Sequence, residues 1–156
     1  MSCITQLLEM KGDKEILPIH SQAVIEGGGS YKGYEYLITF TRHGSRCGYV
    51  AIPDGHRGDC ADLDCHGGIT FSGTDHNAKD LLPIACNDLW IGFDAAHYMD
   101  KHDMVLAQKY FPDLEPEIIS AFSDGIIGEL GRHRTYGYME DQCHYLIDQL
   151  VDSQEQ

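Results

Sequence analysis

An alternating segment at residues 34–42 is the feature that most constrains the fold of this chain. Its aromatic and apolar residues occupy every second position and are Tyr34, Tyr36, Ile38 and Phe40. Because successive side chains of a strand point to opposite faces, this period of two predicts a strand with one buried face. Residues 43–46 include Gly44, which can adopt positive φ, and the apolar run 48–52 ends before Pro53. The pattern therefore predicts a β-hairpin.

Two further segments, HGGITFSG at 66–73 and LWIGFDAAH at 89–97, each predict a buried strand with polar residues at one end. His66 begins the first segment, whereas Asp94 and His97 end the second. In an antiparallel pair, the start of one strand lies beside the end of the other. We therefore expect His66, Asp94 and His97 to meet in one place.

The C-terminal region has the period of an amphipathic helix. Its apolar residues recur every three or four positions and are Met139, Cys143, Leu146, Ile147, Leu150 and Val151. Thr135 is the predicted N-cap. Shorter helices are expected at 104–110 and 115–122, and the GGGS sequence at 27–30 predicts a flexible break. Together these elements predict a single α+β domain over residues 1–156. Its antiparallel β-sheet has about four to six strands covered by the C-terminal helix.

The charge of the chain excludes some partners. A formal net charge of −14 argues against binding to nucleic acid polymers and to anionic membranes. The N-terminal sequence lacks the pattern of a signal peptide, and no apolar run is as long as a membrane span. We therefore expect a cytosolic protein whose six cysteines are reduced thiols.

The arginines favour a small anionic ligand in spite of the net charge. Arg42, Arg46 and Arg57 lie in one glycine-rich region, and Arg132 and Arg134 lie in another. The alternative interpretation is that each arginine offsets acidic residues nearby. Glycine allows a close approach of backbone to an anion, and flat aromatic rings can stack on a base. The predicted ligand-binding residues are Arg42, Arg46, Gly67, Gly68, Thr70, Trp90, Arg132 and Arg134.

His66, Asp94 and His97 also allow two kinds of catalysis. Without a metal, the histidines could act as general base and general acid on a phosphoester, with Asp94 orienting one of them. With a divalent metal such as zinc, the same three residues could be ligands and a bound water the nucleophile. Their spacing matches no standard metal motif, so we expect no cofactor and keep the metal as an alternative. For His66 or His97 considered alone, the simplest interpretation is a structural role, with a ring nitrogen hydrogen-bonded to the backbone.

Three motifs together resemble a family of small, uncharacterised proteins encoded by bacteriophages and prophages. They are Arg46-Cys-Gly-Tyr-Val50, the segment 66–73 and Trp90-Ile-Gly-Phe-Asp-Ala-Ala-His97. The family often has cysteine where Ala95 stands here, so a thiol at this position is dispensable. The resemblance implies a non-structural protein of the infected bacterial cytoplasm, and small phage proteins of this kind often counteract host defence.

The sequence leaves three functions open. The first is sequestration of a small phosphorylated or nucleotide-like host signal, and the second is hydrolysis of such a ligand. The third is inhibition of a host protein through the acidic surface. A homo-oligomer could complete the pocket in any of these cases.

Overall fold

A six-stranded antiparallel sheet with the order β1-β2-β3-β4-β6-β5 organises the fold. The computed structural model describes residues 2–58, 60, 62–74, 82–97, 99–123 and 131–154. The strands of the sheet are β1 (Leu17–His20), β2 (Ala23–Tyr31), β3 (Tyr34–Thr41), β4 (Arg46–Ile52), β5 (Phe71–Gly73) and β6 (Leu89–Asp94). A parallel pair is formed by β7 (Asp100–Lys101) and β8 (Arg132–His133). The helices of the described residues are α1 (Cys3–Lys11), α2 (Met104–Tyr110), α3 (Pro116–Ser123) and α4 (Tyr136–Gln154).

The predicted hairpin is confirmed. Strands β3 and β4 pair antiparallel, with Ile38 opposite Gly48 and Phe40 opposite Arg46. Gly44 has a φ of 83° in the connecting turn. Ile38 and Phe40 are fully buried on the face that the alternation assigned to the core, but the prediction of a single buried face is wrong, because Leu37 and Thr39 on the other face are buried as well.

The predicted C-terminal helix is confirmed as α4, which covers one face of the sheet. Its apolar residues pack on the inward side chains of β3, β4 and β6, and Thr135 caps it by accepting a hydrogen bond from the Tyr138 N–H at 3.1 Å. A Cβ added to Gly48 would lie 2.7 Å from the Phe93 ring and 3.0 Å from the Cys143 Sγ. Gly48 therefore lets α4 lie close to the sheet. The α+β class follows from this layer arrangement.

The predicted flexible break at 27–30 is wrong, because these residues lie inside β2. Gly28 pairs with Leu37 and Gly29 with Tyr36 on β3. A Cβ on Gly27 would lie 2.6 Å from the Tyr136 hydroxyl, and one on Gly28 would lie 2.3 Å from the Tyr36 carbonyl oxygen. Close packing against α4 at Gly27 and within the sheet at Gly28 therefore accounts for these glycines.

Cys3 on α1 and Cys86, ahead of β6, form a disulfide across a sequence separation of 83. The expectation of six reduced thiols is therefore wrong for this pair, whereas Cys47, Cys60, Cys65 and Cys143 form no disulfide and remain thiols. The local sequence did not reveal the pairing because the two cysteines lie far apart along the chain. Among the described residues, no helix combines the length and apolar character needed to cross a membrane.

Candidate functional site

His66, Asp94 and His97 come together, as the sequence predicted, but the prediction of a buried strand at 66–73 is wrong: β5 covers only Phe71–Gly73 at the sheet edge, and His66 lies in the turn before it. Phe71 lies opposite Gly92, and the Thr70 N–H extends the pairing by donating to the Gly92 carbonyl at 2.9 Å. The ring centroids of His66 and His97 are 6.2 Å apart. The Thr70 hydroxyl donates to Asp94 at 3.1 Å. Three residues that are distant in sequence therefore form one group at the end of the sheet.

A buried carboxylate that the sequence analysis did not identify, Asp100, lies at the centre of this group. It is 1% exposed and lies 2.8 Å from His66 Nε2. It also accepts hydrogen bonds from the His97 backbone N–H at 3.0 Å and from Arg134 Nε at 2.7 Å. Burial acts to raise the pKa of Asp100, but the hydrogen bonds from His66, Arg134 and His97 outweigh it and hold this pKa below its ordinary value. Asp100 is therefore an ionised anchor for both histidines.

His66 is held on both sides of its ring. Its Nδ1 lies 2.7 Å from the Tyr138 hydroxyl on α4, opposite the contact of Nε2 with Asp100. Its backbone N–H donates to Gln142 on the next turn of the same helix. The Arg134 guanidinium lies over the Tyr138 ring, 5.3 Å from its centroid. We refer to His66, Asp94, His97, Asp100, Arg134 and Tyr138 as the polar cluster.

His97 and Asp94 form the accessible side of the polar cluster. His97 Nε2 lies 3.1 Å from Asp94 Oδ1, and their side chains are 38% and 31% exposed. Gly67 has a φ of 72°, and a Cβ added there would lie 2.3 Å from His97 Nε2. Glycine is therefore needed at position 67 both for the backbone conformation and for the imidazole beside it. Gly68 continues this turn with a φ of 79°.

The structure brings only Arg134 of the four predicted ligand-binding arginines into the polar cluster. Arg46 instead forms a buried pair with Glu26, at 2.6 Å and 3.0 Å, and reaches the cluster only by donating to the Arg134 carbonyl. Arg42 lies over Phe111 and pairs with Asp113 at 3.4 Å. Arg132 is exposed on β8. The guanidinium groups of Arg42 and Arg46 are thus engaged by carboxylates of the protein itself.

The side chains of the polar cluster are arranged as hydrogen-bonded pairs and not around a common point where a metal ion could bind. Among the described residues, only Cys3, Cys86 and Asp88 place three potential metal-ligand atoms within 4.8 Å of one another. His66, Asp94 and His97 do not form such a trio, and both ring nitrogens of His66 already have protein partners. In this arrangement the cluster is suited to moving protons between paired groups.

A cavity of about 490 Å³ lies on the face of the sheet opposite α4. Its lining residues come mainly from strands β1 to β6 and include Leu37, Thr39, Cys47, Tyr49, Phe71 and Trp90. The Tyr49 ring lies 5.8 Å from that of Trp90 and 5.9 Å from that of Phe71. A Cβ on Gly92 would lie 2.5 Å from the Tyr49 ring, so this glycine makes room for it. Trp90, a predicted ligand-binding residue, therefore lies in an aromatic wall.

The cavity offers few cationic groups. None of the described residues that line it is lysine or arginine, and its histidines are His20 and His43. Burial lowers the pKa of His20, which favours its neutral form. Burial also raises the pKa of the Cys47 thiol to about 11, with a further contribution from Asp94. Cys47 is therefore a protonated wall residue at neutral pH and not an activated nucleophile.

One residue of the polar cluster, Asp94, lies next to this cavity, whereas Tyr138 belongs to α4 on the other face of the sheet. Cys47, which lines the cavity, is opposite Asp94 in the pairing of β4 with β6. Phe71, which also lines it, directly follows Thr70, the donor to Asp94. Since alternate residues of a strand share a face, Asp94 lies on the same face of β6 as Trp90. The Asp94 carboxylate therefore lies next to one end of the cavity.

Sequence reasoning missed Asp100 and Phe71 as site residues and did not predict that Tyr138 contacts His66. The available signals were the three-residue spacing from His97 to Asp100 and the four-residue spacing from Arg134 to Tyr138. Comparisons of this chain with protein-family models, with curated proteins and with solved structures gave no match.

Proposed function

We propose that this chain binds a small molecule with a flat aromatic group, of the nucleoside or nucleotide type, in the cavity over the sheet. The supporting observation is the aromatic wall of Tyr49, Phe71 and Trp90 in a cavity of about 490 Å³. Ligand pockets of proteins typically measure roughly 300–1,000 Å³ and are mostly apolar with a few polar groups. Stacking on such a wall depends on the flat face of the ligand and not on its charge.

The polar groups at the edge of the cavity suit a ligand that offers hydrogen bonds. Thr39, Thr41 and Gln22 line it, and the Asp94 carboxylate stands beside it. A carboxylate accepts hydrogen bonds from ring amino groups or sugar hydroxyls. Because lysine and arginine do not occur among the described lining residues, we expect the aromatic ring to contribute more affinity than a phosphoryl group. In an infected bacterium, binding of this kind would sequester a host signal.

The single tryptophan provides a direct test, since Trp90 lines the proposed site. We expect saturable changes in its fluorescence when the full chain is titrated with nucleosides, mononucleotides, cyclic nucleotides and ADP-ribose-type compounds. A nucleoside and its monophosphate should bind with similar affinity. Tyr49→Leu keeps apolar bulk but removes a stacking ring, so we expect it to weaken binding about tenfold.

Tyr145→Leu is the matched control, because Tyr145 is exposed on α4 and bonds to Asp64, away from the cavity. This variant should bind as the wild type does. Isothermal titration across the same compounds gives an independent readout. The absence of saturable binding by either method would contradict the proposal, as would equal losses of affinity in the two tyrosine variants.

A second candidate function is hydrolysis of a phosphoester held between His66 and His97. The observation that favours it is that each imidazole is paired with a carboxylate, Asp100 for His66 and Asp94 for His97. His97 would take the proton of the attacking water as its oxygen bonds to phosphorus. The bond to the leaving oxygen would break, and that oxygen would take a proton from the hydrogen-bonded Tyr138–His66 pair. The Arg134 guanidinium would offset charge on the phosphoryl oxygens.

A product assay on each compound of the panel tests this second function. We expect His97→Ala and His66→Ala each to lower turnover by about a hundredfold, the usual contribution of general acid–base catalysis. His144→Ala is the control, because His144 stacks on Tyr31, 4.2 Å away between ring centroids, and takes no part in the polar cluster. Turnover that survives in the His66→Ala, His97→Ala double variant would rule out this mechanism.

A further inference from the structure

Cys3 and Cys86, which form the disulfide, and Asp88 make a compact group apart from the polar cluster, and its side chains are of the types that bind metals when the cysteines are reduced. Their two sulfurs and a carboxylate oxygen all lie within 4.8 Å of one another. Cys3 begins α1, whereas Cys86 and Asp88 lie in the segment that leads into β6. The Cys3 N–H donates to Asp88 Oδ2 at 3.1 Å, which holds the carboxylate beside the sulfurs. Both cysteines are buried, at 6% and 1% exposure.

Reduction of the disulfide converts the two bonded sulfurs into two thiols, which can bind a metal as thiolates together with Asp88. Two thiolates and a carboxylate are ligands that zinc prefers, at roughly 2.0–2.3 Å. Thiolates bound to one tetrahedral zinc ion lie about 3.8 Å apart, which the cysteines can reach by side-chain rotation over a Cα–Cα distance of 5.9 Å. The strongly negative chain also favours a cation over an anion at this position.

A cavity that could admit a water as the fourth ligand lies on the Asp88 side of the trio. Asp88 lines a cavity of about 510 Å³ together with Ser2, Glu35 and Asn87. Zinc with three protein ligands commonly takes a water as the fourth. A water in this cavity could bond to the polar side chains that line it.

We infer that the dithiol form of this group binds a zinc ion through Cys3, Cys86 and Asp88, so that the cysteine pair alternates between a metal site and a disulfide. A low-molecular-weight disulfide is the class of oxidant that would interconvert them. One cysteine thiolate attacks it and releases a thiolate, and the second cysteine then attacks the mixed disulfide and releases another. The cysteines lose two electrons, the oxidant gains them, and the zinc ion leaves.

Both states would hold α1 in the same place. Cys3, Leu7 and Cys86 belong to one buried apolar cluster with Trp90, whose ring also lines the cavity over the sheet. The disulfide or the zinc ion would each connect α1 to the start of β6 across this cluster. The metal form would therefore preserve the cavity wall in a reducing compartment, where a disulfide is seldom maintained.

Metal titration of the full chain tests this inference. After reduction and removal of the reductant under anaerobic conditions, we expect one equivalent of zinc to bind, measured by competition with a chromophoric chelator. Cobalt should give a thiolate charge-transfer band and tetrahedral visible bands. The oxidised chain should bind neither metal at this site. Asp88→Asn should weaken zinc binding about tenfold or more, as loss of a ligand does.

Cys60→Ser is the matched control, since Cys60 forms no disulfide, is only partly buried and lies outside the trio and the cavity over the sheet. It should retain one equivalent of zinc and the cobalt spectrum, whereas Cys3→Ser with Cys86→Ser should lose both. Circular dichroism checks that the variants fold, and Asp88→Asn leaves both cysteines in place. Failure of the reduced wild type to bind zinc would overturn the inference. So would a cobalt spectrum without thiolate bands, or equal binding by the oxidised chain.

Discussion

Replacing Arg46 by alanine is expected to lower the free energy of unfolding by about 3–5 kcal/mol, because it leaves a buried carboxylate without its counter-ion. Arg46 contacts both carboxylate oxygens of Glu26, and their side chains are only 10% and 7% exposed. The Tyr110 hydroxyl donates to the same carboxylate at 2.9 Å. Urea unfolding followed by circular dichroism gives the difference from the wild type.

Two further variants show whether burial of the pair causes this loss. Arg42→Ala breaks a pair whose partner, Asp113, is 80% exposed, so it should cost only about 0–1 kcal/mol. Arg46→Met combined with Glu26→Leu removes both charges and should recover much of the stability lost in Arg46→Ala. A loss below about 1 kcal/mol in Arg46→Ala, with weakened ligand binding, would instead support the role that the sequence predicted for this arginine.

The difference between the two interpretations of Arg46 shows what local sequence can reveal. Alternation at 34–42 and the helical period at 139–151 predicted β3 and α4, because these periods follow from backbone geometry. The partner of Arg46 is Glu26, which lies on β2 and is separated from β4 by β3. A contact of this kind depends on strand order and leaves no periodic signal in the sequence.

The polar cluster was predictable in part for the same reason. Asp94 ends the buried strand β6, and the segment that pairs with β6 carries His66 in the turn before β5, so antiparallel pairing brings the three residues near one another. Asp100 and Tyr138 reach His66 from β7 and α4, at sequence separations of 34 and 72. The local sequence of β7 and α4 does not indicate that either element reaches His66. The anchor of the cluster therefore became apparent only from the folded chain.

Asp100→Asn should lower the free energy of unfolding by about 3 kcal/mol, because an amide cannot replace a carboxylate that receives three donors including an arginine. The effect should depend on pH. The pKa of Asp100 lies below its ordinary value in the folded chain, so its stabilisation is complete above the unfolded pKa of about 3.9. As pH falls through the lower folded pKa, the carboxylate becomes protonated and this stabilisation is lost.

The measurement compares wild type and Asp100→Asn by urea unfolding at neutral pH and at steps below about pH 4. The difference in unfolding free energy between the two chains should be constant near neutral pH and shrink as the medium becomes more acidic. Asp94→Asn is the matched control, since Asp94 is 31% exposed and should cost about 1 kcal/mol or less. A difference that stays constant down to the most acidic step would show that Asp100 is not the ionised anchor of the cluster. The prediction would also be contradicted if, at neutral pH, Asp100→Asn lowered the unfolding free energy no more than Asp94→Asn does. Burial and three hydrogen-bond donors distinguish Asp100 from the more exposed Asp94, so the two losses should differ.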